Sequence, residues 1–168
     1  MSSSGRIVQI SVSSGGVPKH PVEAARVTTE GVDGDAHRDH RHHGGPERAL
    51  CIFSMERIRA LQSEGHPIAP GSIGENVTIE GLDWTAVAPG RRLRLGEGVL
   101  VEVTRYTSPC ANISRSFRDG DPSRVAHDRH PDSSRVYARV LREGSIRRGD
   151  PVRLEPGTDR GTTTEGDR

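Results

Sequence analysis

Apolar residues in this chain recur mainly with a period of two. Ile10 and Val12 alternate with polar neighbours, as do Val77 and Ile79, Leu93 and Leu95, the series Val99, Val101 and Val103, and finally Val152 and Leu154. Such alternation buries one face of a strand and wets the other. Gly96-Glu97-Gly98 separates two of these runs and predicts a hairpin turn, and Pro89-Gly90 marks another turn just before. Ala49–Phe53 is almost continuously apolar, the pattern of a strand buried on both faces. One segment has helical spacing instead. Met55, Ile58 and Leu61 share a side, Ser54 is placed to cap the start, and Gly65 with Pro67 ends the run. A second short helix is expected after Cys110, through Ile113 to Phe117.

These elements predict a mostly β domain: a small closed barrel of antiparallel strands with a few short helices at its mouth. Closure removes exposed strand edges, which matters in a chain with little apolar material to cover them. Residues 1–5 are polar and residues 156–168 carry no apolar side chain beyond Pro156, so both are expected to be disordered tails. The folded part then spans residues 6–155 as one domain, with no internal repeat and no dividing linker.

Composition sharpens this picture. Leu, Ile, Val and Phe make up 34 of 168 residues, a thin supply for a core, and Val plus Ile outnumber Leu by 24 to 8. β-branched side chains favour pleated surfaces over helices. The 24 basic and 23 acidic residues leave a net charge of +1, which gives no long-range attraction to nucleic acid or an anionic membrane. No apolar run approaches the roughly 20 residues that span a bilayer, and the start MSSSGRIVQISV lacks the order of a signal peptide. Two distant cysteines make no disulfide framework. The chain reads as a soluble cytoplasmic protein. Of its 24 basic residues 23 are Arg, and Lys19 is the sole lysine.

Four stretches could carry chemistry. Four of the eight histidines, His37, His40, His42 and His43, lie in GDAHRDHRHHGG. Imidazoles bind zinc, yet this spacing matches no ligand pattern, so a turn-rich loop and a zinc-binding module both stand as readings. Gly44-Gly45-Pro46-Glu47-Arg48 and Gly71-Ser72-Ile73-Gly74-Glu75-Asn76 each precede a strand, where glycines let backbone N–H groups approach an anion, or simply turn the chain. Cys51 sits in an apolar run and reads as a small buried hydrophobe. Cys110 follows Ser108-Pro109 at a strand-to-helix junction, with Arg105 and Arg115 nearby in sequence. Helix N–H groups and guanidiniums both favour a thiolate, while an inert surface cysteine is the other reading.

Taken together, GDAHRDHRHHGGPERAL, GSIGENVTIEGLDW, VEVTRYTSPCANI and RVYARVLREGSIRRGDPVRL resemble, in order, the motifs of the MOSC domain, the module also found at the end of molybdenum-cofactor sulfurases. The resemblance covers about residues 6–154 and implies a β-rich barrel. It also implies binding of the molybdenum cofactor, with Cys110 at the family's motif cysteine as catalytic residue and metal ligand. The cofactor contacts it implies are His43, Gly44, Gly45 and Arg48 in the HGG-x-x-R element, Gly74, Glu75 and Asn76 in the GEN element, and Asn112 just past the cysteine. A thiolate is both a soft ligand for molybdenum and a nucleophile able to carry persulfide sulfur. The resemblance therefore implies either of two activities. One is an oxidoreductase that reduces N-hydroxylated compounds with electrons from a separate reductase. The other is a carrier of cofactor or sulfur, supplied by a pyridoxal phosphate-dependent cysteine desulfurase. Two positions depart from the family: Ser108 stands where many relatives have Arg, and Asp132-Ser133 replaces a Gly-Trp pair.

Overall fold

The computed structural model describes residues 4–36 and 45–156. The chain runs β1 (Ser4–Val12), β2 (His20–Val22), β3 (Ala24–Thr28), β4 (Gly31–Val32), β5 (Leu50–Ser54), α1 (Met55–Ser63), β6 (Val77–Glu80), β7 (Arg92–Leu95), β8 (Val99–Tyr106), β9 (Val136–Arg142), β10 (Gly144–Arg147) and β11 (Pro151–Leu154). Seven strands in the order β11-β7-β8-β9-β5-β6-β1 close on themselves through the β1–β11 pair, and β2 extends β1 beyond the barrel. β10, β3 and β4 form a separate small sheet. The expected barrel is therefore present. All its pairings are antiparallel except β5–β6, which are parallel because α1 carries the chain back along the barrel before β6 begins.

Inside the barrel, Ile7, Ile10, Ile52, Val77, Leu93, Leu95, Val99, Val101, Val136 and Val152 are fully buried. Below it, Phe53 meets Trp84 edge-on with ring centroids 5.9 Å apart, and the indole Nε1 donates to the Ser134 carbonyl at 3.2 Å. Burial of aliphatic side chains is worth about 1.5–3 kcal/mol each, which is how a chain poor in aromatics holds a core.

The helix follows its sequence signals closely. Ser54 Oγ accepts the Arg57 N–H at 3.2 Å, and Met55, Ile58 and Leu61 are its buried residues. At its far end Gly65 takes φ +96°, with its N–H on Gln62 O and the His66 N–H on Leu61 O, the paired bonds that end a helix in a left-handed glycine. The segment after Cys110 is a 3-10 turn over Ala111–Ser116.

Other elements escaped the pattern. In β9 the buried Val136, Ala138 and Val140 alternate, but small Ala138 and the apolar Tyr137 and Leu141 on the opposite face blur the signal. β1 begins at Ser4, so two residues expected in the N-terminal tail pair with Arg153 and Val152 of β11. Residues 157–168 lie outside the described residues. Asp132 has φ +76°, a region where a side chain is disfavoured. Among the described residues no helix is long and apolar enough to cross a membrane.

Candidate active site

The candidate residues converge on the outer wall of the barrel. Register sets Ile10, Val77, Ile52 and Val136 side by side across β1, β6, β5 and β9, facing the interior. Strand alternation then turns the neighbouring row outward. That row runs from Ser11 through Asn76 and Cys51 to Tyr137 and Arg105. Loops 13–19, 33–36 and 70–75 cover its β1 end, so polar groups there are buried although they lie outside the barrel.

Asn76 is the keystone of this end. Its backbone N–H donates to Cys51 O at 2.7 Å and its carbonyl accepts the Ser11 N–H at 2.8 Å. Its Oδ1 accepts the Cys51 N–H at 3.1 Å, and its Nδ2 donates to Ser11 O at 3.2 Å and to Asp35 Oδ2 at 2.9 Å. Every polar group of Asn76 is thus engaged within the chain, and it acts as framework. Asp35 also accepts Lys19 Nζ at 2.7 Å and the Ser13 N–H at 2.9 Å, with the Lys19 and Asp35 side chains only 9% and 3% exposed. Gly71 lets the loop close over this pair. A Cβ there would stand 2.6 Å from Lys19 O, and its φ is +85°.

A second layer lies behind Cys51. Glu75 is wholly buried, with Oε2 accepting the Gly71 N–H at 3.0 Å and the Thr78 hydroxyl at 3.3 Å, while Oε1 has no partner. Burial pushes the Glu75 carboxyl up, against the opposing pull of the Gly71 N–H and Arg135. Arg135 is 7% exposed and donates from one terminal nitrogen to Ile73 O at 2.7 Å, and its Nε has no partner. Its own carbonyl accepts the Thr107 N–H at 3.1 Å, which ties it to the segment leading to Cys110.

The two sulfurs differ sharply in setting. Cys51 is buried as expected, and desolvation pushes its thiol up to about 11 despite the nearby charges of Arg135 and Lys19. Cys110 is exposed at the start of the 3-10 turn. A six-residue 3-10 segment has too few aligned peptides to act as the helix terminus that the sequence pointed to. Tyr137 pairs with Cys51 across β5–β9 and lies within electrostatic reach of Cys110. Burial raises its phenol above the ordinary range, with Cys51 and Cys110 adding to the rise and Arg135 and Arg48 opposing it. The Arg48 guanidinium lies over the Tyr137 ring, 5.5 Å from its centroid. Arg105 and Arg115 are exposed.

On the intact protein at pH 8, a thiol-alkylating reagent is therefore expected to label Cys110 on the order of 100-fold or more faster than Cys51. Peptide mass spectrometry over a time course reads this directly, and equal labelling of the two would contradict the assignment.

Tyr137 links the candidate residues: Cys51, bonded to Asn76, pairs with it across β5–β9, Arg48 lies over its ring, and Cys110 is within electrostatic reach of its phenol. Gly74 forms part of the covering loop at φ +93°, Gly45 opens the turn Pro46–Arg48, and Asn112 is exposed beside Cys110. His43 and Gly44 lie outside the described residues, as does the whole histidine stretch from His37. Among the described residues, no three His, Cys, Asp or Glu side chains are grouped to hold a metal ion. Sequence reasoning missed Lys19, Asp35, Arg135 and Tyr137 as members. One signal was available: in a chain that uses Arg almost everywhere, a lone lysine marks a place where only a compact ammonium fits.

Comparison with known proteins agrees with this architecture. The profile of the MOSC domain family matches residues 39–153. The Bacillus subtilis protein YflK is 29% identical over 152 residues, covering 89% of this chain and 67% of YflK. Escherichia coli YiiM is 31% identical over 110 residues, 62% of this chain and 49% of YiiM, so the chain spans about half of that relative's length. A Gibberella moniliformis protein named Reductase is 29% identical over 128 residues, 74% of this chain and 22% of that protein. The crystal structure of YiiM from Geobacillus stearothermophilus superposes with a TM-score of 0.72 at 26% identity, covering 90% of this chain and 75% of that one. With the profile matching more than two thirds of its length, this chain belongs to the MOSC domain family.

Proposed function

We propose that this MOSC protein binds the molybdenum cofactor with the Cys110 sulfur as its protein ligand, and reduces N-hydroxylated small molecules with electrons from a separate reductase. The exposure of Cys110 beside a cluster of cations carries this reading. Cys51 is walled off by burial, whereas Cys110 offers a soft donor at the surface. Lys19 and Arg135 act on Cys51, Arg135 and Arg48 act on Tyr137, and the buried Glu75 beside them favours its neutral form. Guanidinium groups on this wall suit an anionic ligand bearing a phosphate and a dithiolene. The unpartnered Nε of Arg135 and Oε1 of Glu75 fit the same group, being buried polar atoms that the chain itself leaves unsatisfied.

When bound, the cofactor supplies the two-electron couple that N–O reduction requires. The chain's own residues hold and orient it. Cys110 would hold the metal, Arg48 would face the anionic portion, and Asn76 with the buried Lys19–Asp35 pair keeps the wall beneath in place. Tyr137 remains a phenol and offers an O–H donor beside both sulfurs. Reduction of a hydroxylamine consumes two electrons and two protons and releases water. The electrons would be supplied by a separate reductase. The similar stretch takes up about a fifth of a fungal protein named Reductase, which favours a redox setting for such a domain.

A second reading rests on the same exposure. An accessible Cys110 can accept persulfide sulfur from a cysteine desulfurase, since another protein's persulfide must reach it. One experiment separates the two. Protein isolated from a host that makes the cofactor is mixed with a nicotinamide-dependent reductase and a hydroxylaminopurine. Substrate-dependent nicotinamide oxidation with aminopurine formation is expected. A persulfide on Cys110 by mass spectrometry without turnover would replace the enzyme reading by the carrier, and neither outcome would overturn both.

A further inference from the structure

The segment that carries Cys110 is docked at its far end on a histidine that the proposed reaction does not use. His66 follows the glycine that ends α1, and it is buried although polar. Its Nδ1 accepts the backbone N–H of Arg118 at 3.2 Å, and its ring meets Phe117 edge-on at 5.4 Å. The Arg118 side chain lies over Gly65, where an added Cβ would stand 3.1 Å from the guanidinium. The same segment is held elsewhere by Ile113 and Phe117 in the core and by Ser116 Oγ donating to Ser72 Oγ at 2.9 Å.

We infer that His66 is a positioning residue, docking the Cys110-bearing segment on the end of α1 only while its Nδ1 is unprotonated. A backbone N–H is a donor in every state, so the ring nitrogen facing it must be bare. A proton on Nδ1 sets donor against donor and breaks that bond. On the ring's other side Nε2 lies 3.5 Å from Glu64 Oε1, a partner that an imidazolium keeps. Glu64 is ionised throughout the relevant range, because the Arg124 guanidinium bonded to it holds its carboxyl low. A hollow of about 460 Å³ opens at this point, and its charged lining comes from every adjoining segment: Glu64, Arg118, Asp119, Asp121, Arg124 and His130. Water therefore reaches the place where the released segment would move. Protonation of the ring would therefore undo the docking, which makes it sensitive to acid.

The inference concerns the apo chain and stands independently of the cofactor reading, so failure of either leaves the other intact. Its test is amide hydrogen exchange of residues 111–120, expressed as protection relative to the intrinsic rate at each pH. In the wild-type chain, protection is expected to fall about tenfold from pH 7.5 to 5.5, the effect of losing one hydrogen bond. His66→Asn keeps an acceptor near Nδ1 that cannot titrate, and should hold wild-type protection at both pH values. His66→Leu has no acceptor and should be low at both. Amides of β8 serve as the folding control and should not respond. Protection in the wild type that is independent of pH, or a fall in His66→Asn matching the wild type, would overturn the inference. So would His66→Leu as protected as the wild type at pH 7.5. Should His66→Leu lose β8 protection as well, the wild type and His66→Asn alone decide.

Discussion

Cys110→Ala is expected to reduce molybdenum content from about one atom per chain to background, because the other thiol, Cys51, is buried and out of reach of a soft metal. The fold should hardly notice. Cys110 is exposed and makes no side-chain cap to the turn that follows, so the change in stability should stay within about 0.5 kcal/mol. Metal analysis of both proteins, produced in parallel in a host with an intact cofactor pathway, checks the first part, and urea denaturation the second. The contrast between the two measurements is the informative feature. A variant that loses metal because it unfolds would fail both, whereas a ligand substitution fails one. Full molybdenum occupancy in Cys110→Ala would remove the central assignment of the proposed function.

The other large effect is expected at Asp35→Ala, where the loss should be in stability, about 3–5 kcal/mol. Asp35 accepts three donors, from Lys19, Asn76 and the Ser13 N–H, in a setting almost closed to water. Truncation leaves the Lys19 ammonium buried without its counter-charge and two further donors without an acceptor. Breaking a buried pair from one side is far costlier than replacing both members, since the penalty comes from the orphaned charge. The double variant Lys19→Met, Asp35→Ala should therefore recover part of the loss. Domains of this size have about 5–15 kcal/mol in total, so Asp35→Ala alone should bring the midpoint of urea denaturation down markedly. A loss below about 1 kcal/mol would mean that the pair is solvated, and with it the framework assigned to Asn76 would fail.

The reach of sequence reasoning differed between fold and site. The strands with one polar and one apolar face could be read directly: β6, β7 and β8 begin and end close to their alternating runs, and α1 has its cap and its glycine stop where the residues indicate. β9 could not, because its outward face carries Tyr137 and Leu141 and its inward face the small Ala138. β2 and β4 have three and two residues, too short for any periodicity to register. At the site, motif order picked out Cys110, Arg48 and the Gly74–Asn76 turn. The partners that give those residues their setting come from distant parts of the chain: Lys19 and Asp35 from loops near β1, and Arg135 and Tyr137 from around β9.

The sequence by itself determined that the core would be β-rich and aliphatic, that the sheet would close, where α1 starts and stops, and which sulfur belongs to the family's motif. These depend on local periodicity, capping and residue identity, all of which are written along the chain. Only the tertiary structure decided that β5 and β6 run parallel, that the candidate site lies on the barrel's outer wall, that Asn76 is framework, and that Tyr137 pairs with Cys51 within electrostatic reach of Cys110. Each of those depends on register between strands far apart in sequence and on desolvation by loops that fold over them. Both are properties of the assembled barrel, because burial and charge proximity exist only once distant segments have met.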